Sequence, residues 1–197
     1  MLFAALAAAV PENNGNALDQ SSEGMMDSIR NDGLTSVLKL FSLLGSTTAI
    51  IAMTLLVSLY AGWKYGWGRG AIVLIGAASA YALNVWIKTW IDRPRPSTAW
   101  GIEADGASFP SGNAMLAMAM FGMLAWNIIA ASGFSRRATA WSTAIIIFLI
   151  AMMGLSRVYF HVHYMTDILG GYAAGMAVIS LILFIRTTFS KRGAVNL

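Results

Sequence analysis

The chain has 197 residues, of which 57% are hydrophobic and only 11% are charged. Soluble domains usually carry about 25% charged residues, so this composition indicates an integral membrane protein. Cysteine is absent, which excludes disulfides and thiolate metal sites. The net charge of +4 suits an anionic partner, but the distribution of the charges along the chain is more informative than their sum.

The first 38 residues are expected to lie outside the main helical core. Met1–Val10 is apolar but short, which predicts a short or truncated first span or a membrane-dipping segment. The polar, acidic stretch that follows has a weak apolar face between residues 20 and 30, provided by Met25, Met26 and Ile29. We therefore predict an outer-surface loop with an interfacial helix within residues 1–38.

Five long uncharged runs follow, and each is close to the roughly 20 residues that a helix needs to cross the hydrocarbon core. They are Leu40–Trp63, Gly70–Ile87, Gly106–Ser135, Ala138–Ser156 and Ile168–Ile185. Small residues recur within them and favour close packing of helices in lipid. The predicted fold class is all-α: one polytopic transmembrane bundle of about six helices over residues 1–197, with its helical core at 40–186.

The charges at the ends of these runs predict the orientation of the bundle. One set of junctions holds seven cations and no acid: Lys64, Arg69, Arg136, Arg137, Arg186, Lys191 and Arg192. The other set holds the remaining cations together with all nine acids. Since cytoplasmic loops carry the excess of Lys and Arg, we expect the first set and the C-terminus in the cytoplasm. The second set is expected at the extracytoplasmic face of the plasma membrane.

Most of the polar chemistry lies in three short stretches at that outer face. In the first, Lys88 and Arg95 are two turns apart on a continuous helix, and therefore on one face, before the adjacent prolines end the helix. Two cations at the mouth of a span favour an anionic ligand, although side chains that reach lipid headgroups give the same pattern. Asp92 and Arg93 are interpreted as a solvated local pair.

The second stretch is a turn with the residues of an anion-binding site. Ser111 and Gly112 precede a long apolar run. Serine caps a helix, glycine permits close backbone approach, and the free N–H groups of a helix N-terminus bind anions. A plain helix cap has the same sequence, so this motif alone is weak.

The third stretch contains a candidate nucleophile. His163 and Asp167 are spaced i,i+4, which allows the carboxylate to orient the imidazole, although such pairs are often structural. Arg157 has a planar guanidinium group whose N–H donors are well placed to bind phosphate oxygens. His161 is two residues from His163 and diverges from it on a helix, and no third strong ligand is near, so a metal site is disfavoured.

Taken in order, the three stretches resemble the motifs of the type 2 phosphatidic acid phosphatase (PAP2) superfamily. The pattern is Lys, six residues, Arg-Pro; then Pro-Ser-Gly; then Ser-Arg, five residues, His, three residues, Asp, and it extends from Lys88 to Asp167. The resemblance implies a six-helix membrane bundle with the site at its outer surface. It also implies a phosphatase that needs neither a metal nor another cofactor.

The same resemblance implies the role of each residue. His163 would attack the phosphorus and form a phosphohistidine, which water then hydrolyses, and Asp167 would orient His163. The phosphoryl oxygens would be held by Lys88, Arg95, Ser111, Gly112, Asn113 and Arg157. Three cations would replace the metal clamp that is usual in phosphoryl transfer.

Asn113 departs from the family pattern, in which a histidine usually follows Pro-Ser-Gly and acts as general acid. Asparagine donates a hydrogen bond but cannot deliver a proton. Three explanations are open. Asn113 is a natural variant, it is an inactivating substitution, or the role of general acid belongs to another residue such as Glu103 or Asp105. We favour the natural variant, because the residues that follow have the sequence of an undisturbed helix start.

The loss of a general acid bears on the substrate. A general acid typically raises the reaction rate by about 10²–10⁴-fold. An alcohol leaving group needs this protonation more than a phosphate leaving group does, because phosphate is the weaker base. We therefore hypothesise that the substrate is a polyprenyl diphosphate, such as the undecaprenyl carrier of cell-wall synthesis. The alternative is a phosphatidylglycerophosphate or phosphatidate phosphatase, with transfer of the headgroup between lipids as a variant.

A protein of a different class also fits the sequence. A catalytically impaired phospholipid-binding protein would keep the cations, but it would have no need for an oriented imidazole. A vanadium haloperoxidase is least favoured, because nothing indicates a soluble, water-accessible site. The expected partners are a lipid phosphate or diphosphate and the membrane lipids; no nucleic acid is expected, and the oligomeric state is left open.

Overall fold

Helices make up all the regular structure in the described part of the chain. The computed structural model describes residues 15–96, 100, 102, 104–130 and 134–195, with side chains up to residue 188. The helices are α1 Ala17–Ser28, α2 Asp32–Leu44, α3 Thr47–Tyr65, α4 Trp67–Trp90, α5 Gly112–Ala130, α6 Arg136–Tyr159 and α7 Met165–Val195. Helices α3 to α7 are long and apolar enough to cross a membrane, which confirms the predicted all-α membrane bundle. The predicted short span at residues 1–10 lies outside the described residues.

Helix α5 lies at the centre of the bundle. It packs against α3, α4, α6 and α7, and its methionines at 115, 120 and 123 are fully buried. On α7, a Cβ atom at Gly175 would lie 2.7 Å from the carbonyl oxygen of Met115. Because small residues let two helices approach this closely, α7 is held directly against α5. Their N-terminal ends, which carry motif residues, are therefore neighbours.

Two of the predicted spans begin later than the apolar runs suggest. The run Leu40–Trp63 is divided at Gly45, where α2 ends. Ser46 then caps α3, and its hydroxyl accepts a hydrogen bond from the N–H three residues later at 3.3 Å. The run Gly106–Ser135 begins as an irregular loop and becomes helical only at Gly112, because Pro110 and the Ser111 cap end the loop there.

Helix α1 lies where an interfacial helix was predicted, and its apolar residues are divided between the interior and the surface. Met26 is buried, whereas Met25 and Ile29 are exposed. The inward face also includes the fully buried Asp19, which accepts hydrogen bonds from Arg93 and Thr166. Helix α2 also crosses residue 38, where the N-terminal segment was expected to end.

The segments that carry the three motifs meet at one end of the bundle. Helices α4 and α6 end there, whereas α5 and α7 begin there. The described parts of the connections, at residues 91–96, 104–111 and 160–164, therefore lie side by side, and α1 packs next to them against α6 and α7.

Candidate active site

His163 and Asp167 are in contact, but not for the predicted reason. His163 lies in the turn between α6 and α7, and Asp167 lies in the first turn of α7. The Asp167 Oδ2 atom is 3.5 Å from Nδ1 of His163. The same oxygen accepts the N–H of Tyr164 at 2.8 Å. The contact thus comes from a side chain that caps the turn before α7, and the prediction of two residues on one helical face is wrong.

The surroundings of the imidazole determine which ring nitrogen carries the proton. Ser108 Oγ donates to Asp167 Oδ2 at 2.5 Å and lies 3.4 Å from Nδ1 of His163. Nδ1 therefore faces two acceptors and carries the proton, which leaves the lone pair on Nε2. Nε2 faces Nη1 of Arg95 at 3.3 Å. The lone pair thus points toward the cations of the site.

Burial keeps this imidazole neutral. The side chain of His163 is almost fully buried, and desolvation lowers the pKa of His163 to about 4. Asp167 acts in the opposite direction, whereas the positive charges of Arg95 and Arg157 lower the pKa further. At neutral pH the imidazole is therefore uncharged and able to act as a nucleophile.

Lys88 and Arg95 meet at a loop carbonyl, not along a helix. Lys88 Nζ donates to the carbonyl oxygen of Ala107 at 2.7 Å, and Nη2 of Arg95 lies 3.5 Å from the same oxygen. The predicted common helical face is wrong, because α4 ends at Trp90 and Arg95 follows in irregular chain. The guanidinium of Arg95 is fixed by further carbonyl oxygens, those of Asp105, Gly106 and Val162.

Arg157 completes the cluster from the end of α6. It is buried, and its Nη1 donates to Ser42 Oγ at 2.7 Å, but its Nε has no hydrogen-bond partner among the described residues. Lys88 uses one of its three donors. Neither these two residues nor Arg95 forms a salt bridge with a described carboxylate. Unused donors and uncompensated positive charge favour a phosphate group as ligand.

The N-terminus of α5 lies beside these cations. Ser111 is fully buried; its N–H donates to the carbonyl oxygen of Asp167 at 3.0 Å, and its hydroxyl caps α5. The N–H groups of Gly112 and Asn113 donate no hydrogen bond within the described residues, so they are available to an anion. A Cβ at Gly112 would lie 3.0 Å from Oδ1 of Asn84. The half-buried side chain of Asn113 makes no hydrogen bond with the described residues.

Arg93 was predicted to be solvated, and this prediction is wrong. Its side chain is 1% exposed; Nη1 lies 2.5 Å from Oδ1 of Asp167, and Nη2 lies 2.8 Å from Oδ2 of Asp19. A signal was present in the sequence. Pro94 and Pro96 favour extended backbone at the residues before them, and residues two apart in extended chain project to the same side. Arg93 therefore points inward together with Arg95.

Asp19 and Thr166 extend this network into α1. Thr166 donates to Oδ1 of Asp19 from both its backbone N–H and its hydroxyl, each at 2.9 Å. The Thr166 hydroxyl oxygen also accepts from Nη1 of Arg93 at 2.8 Å. Ser108, Arg93 and Asp19 are thus functional candidates that the sequence motifs did not identify. They position Asp167, which in turn positions His163.

Comparison with known proteins places this geometry in context. The family model of the PAP2 superfamily matches residues 69–191. Phosphatidylglycerophosphatase B of Bacillus subtilis (strain 168) is 28% identical over 185 residues, which cover 92% of this chain and 90% of that protein. A crystal structure of a transmembrane PAP2-type phosphatidylglycerolphosphate phosphatase from Bacillus subtilis matches with a TM-score of 0.82 at 26% identity, over 94% of this chain and 92% of that one.

A second solved structure shares the fold alone. Aquifex aeolicus LpxE matches with a TM-score of 0.70 at 20% identity, over 88% of this chain and 98% of that one.

Replacing Arg93 by glutamine should strongly destabilise the protein, because it leaves two buried carboxylates without a cation. We expect the free energy of unfolding to fall by about 3–5 kcal/mol, measured by denaturant unfolding in detergent micelles. Adding Asp19→Asn to Arg93→Gln removes one of those carboxylates and should recover part of the loss. The matched control adds Asp32→Asn, at an exposed carboxylate, to Arg93→Gln, and this variant should recover none of the lost stability. Equal stability of Arg93→Gln and the wild type would contradict the proposed network of buried ion pairs.

The pKa of His163 can be measured directly, because the chain has only two histidines. His161→Asn leaves His163 as the single imidazole, and asparagine tolerates the positive φ of 51° at that position. NMR titration of the remaining ring should give a midpoint near 4, well below the roughly 6.5 of an exposed histidine. A midpoint at or above 6.5 would contradict the assignment of a buried neutral nucleophile.

Proposed function

Because this chain belongs to the PAP2 superfamily, and is a membrane lipid phosphatase of that family, we propose that its substrate is phosphatidylglycerophosphate. The curated protein and the solved structure from Bacillus subtilis, each of which matches over nine-tenths of this chain, carry that substrate in their names. This substrate was the alternative in the sequence interpretation, and it now has more support than a polyprenyl diphosphate.

The observation that carries the proposed mechanism is the orientation of His163. Its Nδ1 faces Asp167 at 3.5 Å, and its Nε2 faces the guanidinium of Arg95 at 3.3 Å. A phosphoryl group bound by Arg95 would therefore lie next to the Nε2 lone pair. In the first step Nε2 attacks the phosphorus, the N–P bond forms, the P–O bond to the glycerol oxygen breaks, and the departing oxygen takes a proton from solvent. Asp167 stabilises the imidazolium character that develops on the ring.

The cations act on the charge of the transferring group. Lys88, Arg95 and Arg157 would hold its equatorial oxygens, together with the free N–H groups of Gly112 and Asn113. Donors that are already fixed in a buried site need no reorganisation during the reaction, and removal of one such donor typically costs about 10²–10³-fold in rate. Arg95 is the most constrained of the three cations, because four carbonyl oxygens of the surrounding loops accept from it.

Water would complete the cycle. Its oxygen attacks the phosphorus of the phosphohistidine, the P–N bond breaks, and the bonding pair returns to Nε2. Inorganic phosphate leaves, and one proton of the water passes to solvent. The Nδ1 proton remains between His163, Ser108 and Asp167 throughout, so the imidazole is ready for the next substrate.

Asn113 favours a second candidate substrate, a polyprenyl diphosphate. The amide of Asn113 cannot protonate a departing alkoxide, whereas a departing phosphate is a weaker base and needs less help. Of the two acids that the sequence offered in place of a histidine, Asp105 is exposed on the loop whose carbonyl oxygens accept from Arg95. Glu103, the other candidate from the sequence, lies outside the described residues.

The proposed orientation places the catalytic end of the bundle at the extracytoplasmic face. Helix α7 begins at this end with Asp167 and finishes at the end where Arg186, Lys191 and Arg192 lie in the sequence. The basic end belongs in the cytoplasm by the positive-inside rule, and the C-terminus with it.

Phosphate release by the purified protein in detergent with EDTA tests the proposed activity. Phosphatidylglycerophosphate should be hydrolysed faster than phosphatidate or undecaprenyl diphosphate, and His163→Ala should lose all measurable activity, whereas His161→Asn should retain it. Faster release from the diphosphate would favour the second candidate. If no phosphate is released from any substrate while phospholipid binding is intact, the result would support the alternative of a catalytically impaired phospholipid-binding protein.

Asn113→His tests the leaving-group argument. A histidine at this position supplies the missing general acid, which is typically worth about 10²–10⁴-fold, so hydrolysis of phosphatidylglycerophosphate should accelerate by about 10²-fold. Hydrolysis of undecaprenyl diphosphate should change much less. An equal factor for both substrates would show that position 113 does not protonate the leaving group.

A further inference from the structure

At the end of the bundle away from the active site, two arginines contact one tryptophan. The guanidinium carbon of Arg186 lies 4.4 Å from the centroid of the Trp126 ring, and that of Arg69 lies 5.9 Å from it. Arg69 is on α4, Trp126 on α5 and Arg186 on α7. Three helices thus bring two positive charges to a single aromatic side chain, in contacts of the cation–π type.

No carboxylate in the described part of the chain pairs with these two positive charges. Neither Arg69 nor Arg186 forms a salt bridge with a described carboxylate. The sequence around this end, at residues 64–69, 130–137 and 186–197, contains no Asp or Glu. Both side chains are half-buried. Two like charges that are partly withdrawn from water are stabilised by an anion from outside the chain.

The tryptophan also lines an apolar cavity. A space of about 450 Å³ lies between α5, α6 and α7, and its walls include Met118, Trp126, Ile129, Thr143, Ile147 and Met176. Ligand pockets have volumes of roughly 300–1,000 Å³ and mostly apolar walls. One face of the site is therefore cationic and the other is apolar, and the indole of Trp126 joins the two.

The helices separate this site from the active site. Arg69 and Lys88 are 19 positions apart along α4, and so are Asp167 and Arg186 along α7. At 1.5 Å per residue each distance is about 28 Å, close to the roughly 30 Å of a bilayer's hydrocarbon core. A headgroup between Arg69 and Arg186 belongs to the opposite leaflet and cannot be the bound substrate.

We propose that Arg69, Arg186, Trp126 and the adjoining cavity bind one anionic phospholipid from the leaflet opposite the active site. Its phosphate lies between the two guanidinium groups, whose donors match phosphate oxygens. One acyl chain fills the cavity between α5, α6 and α7. The bound lipid ties together the ends of α4, α5 and α7, whose other ends carry Lys88, Gly112 and Asp167.

Native mass spectrometry of the detergent-purified protein tests this site. The probe is phosphatidylserine, which lacks a phosphomonoester, with phosphatidylcholine as the zwitterionic reference. The wild type should retain one phosphatidylserine in preference to phosphatidylcholine. Arg69→Gln/Arg186→Gln should weaken phosphatidylserine binding by about tenfold, since each basic residue near an anionic lipid contributes a several-fold factor.

The matched control is Arg136→Gln/Arg137→Gln, which removes two exposed charges from the same end of the bundle and should change binding by less than about twofold. Equal losses in the two double variants, or no preference for phosphatidylserine in the wild type, would overturn the proposal. If the first double variant does not fold, Thr143→Phe tests the site from the cavity side. Its ring fills the space of the acyl chain and should weaken binding severalfold at unchanged net charge; unchanged binding would also overturn the proposal.

Discussion

The buried carboxylate of Asp167 is the group on which the rest of the site depends. It is fully shielded from solvent and accepts hydrogen bonds from Arg93, from Ser108 and from the N–H of Tyr164, while it faces His163. A buried carboxylate stays ionised only when several donors and an opposite charge surround it. Asp167 therefore requires that the first turn of α7 and the loops at 91–96 and 104–111 meet at one point, and Arg93 and Arg95 lie on the first of those loops.

The position of α1 follows from the same requirement. Arg93 carries one positive charge between two carboxylates, and the second of these is Asp19 on α1. A polar helix gains little from lying on a membrane bundle through apolar contacts alone, and α1 buries few apolar side chains. Its docking rests instead on Asp19, which accepts from Arg93 and Thr166. A segment far from the motifs in sequence thus helps to orient the nucleophile.

The sequence predicted the spans and a set of site residues that the structure brings to one end of the bundle, but it did not predict the geometry that joins these residues. Long apolar runs identify spans because the hydrocarbon core imposes their length, and the spaced motif residues identify the chemistry. Local periodicity placed Arg95 and His163 on helices, whereas Arg95 lies in irregular chain after α4 and His163 lies in the turn between α6 and α7. The partnership of Arg93 with Asp19 joins residues 74 apart in sequence, and no local pattern encodes such a contact. The role of Asp19 could not be predicted from the sequence for the same reason.

The central claim is that Nε2 of His163 carries the phosphoryl group during turnover. The most direct measurement uses phosphatidylglycerophosphate labelled in its terminal phosphate, an alkaline quench and mass spectrometry of the tryptic peptide at residues 158–186, which holds both histidines. The account predicts an acid-labile, alkali-stable label on this peptide in the wild type and in His161→Asn, and none in His163→Ala. Label on a serine or aspartate, or continued phosphate release by His163→Ala, would contradict it.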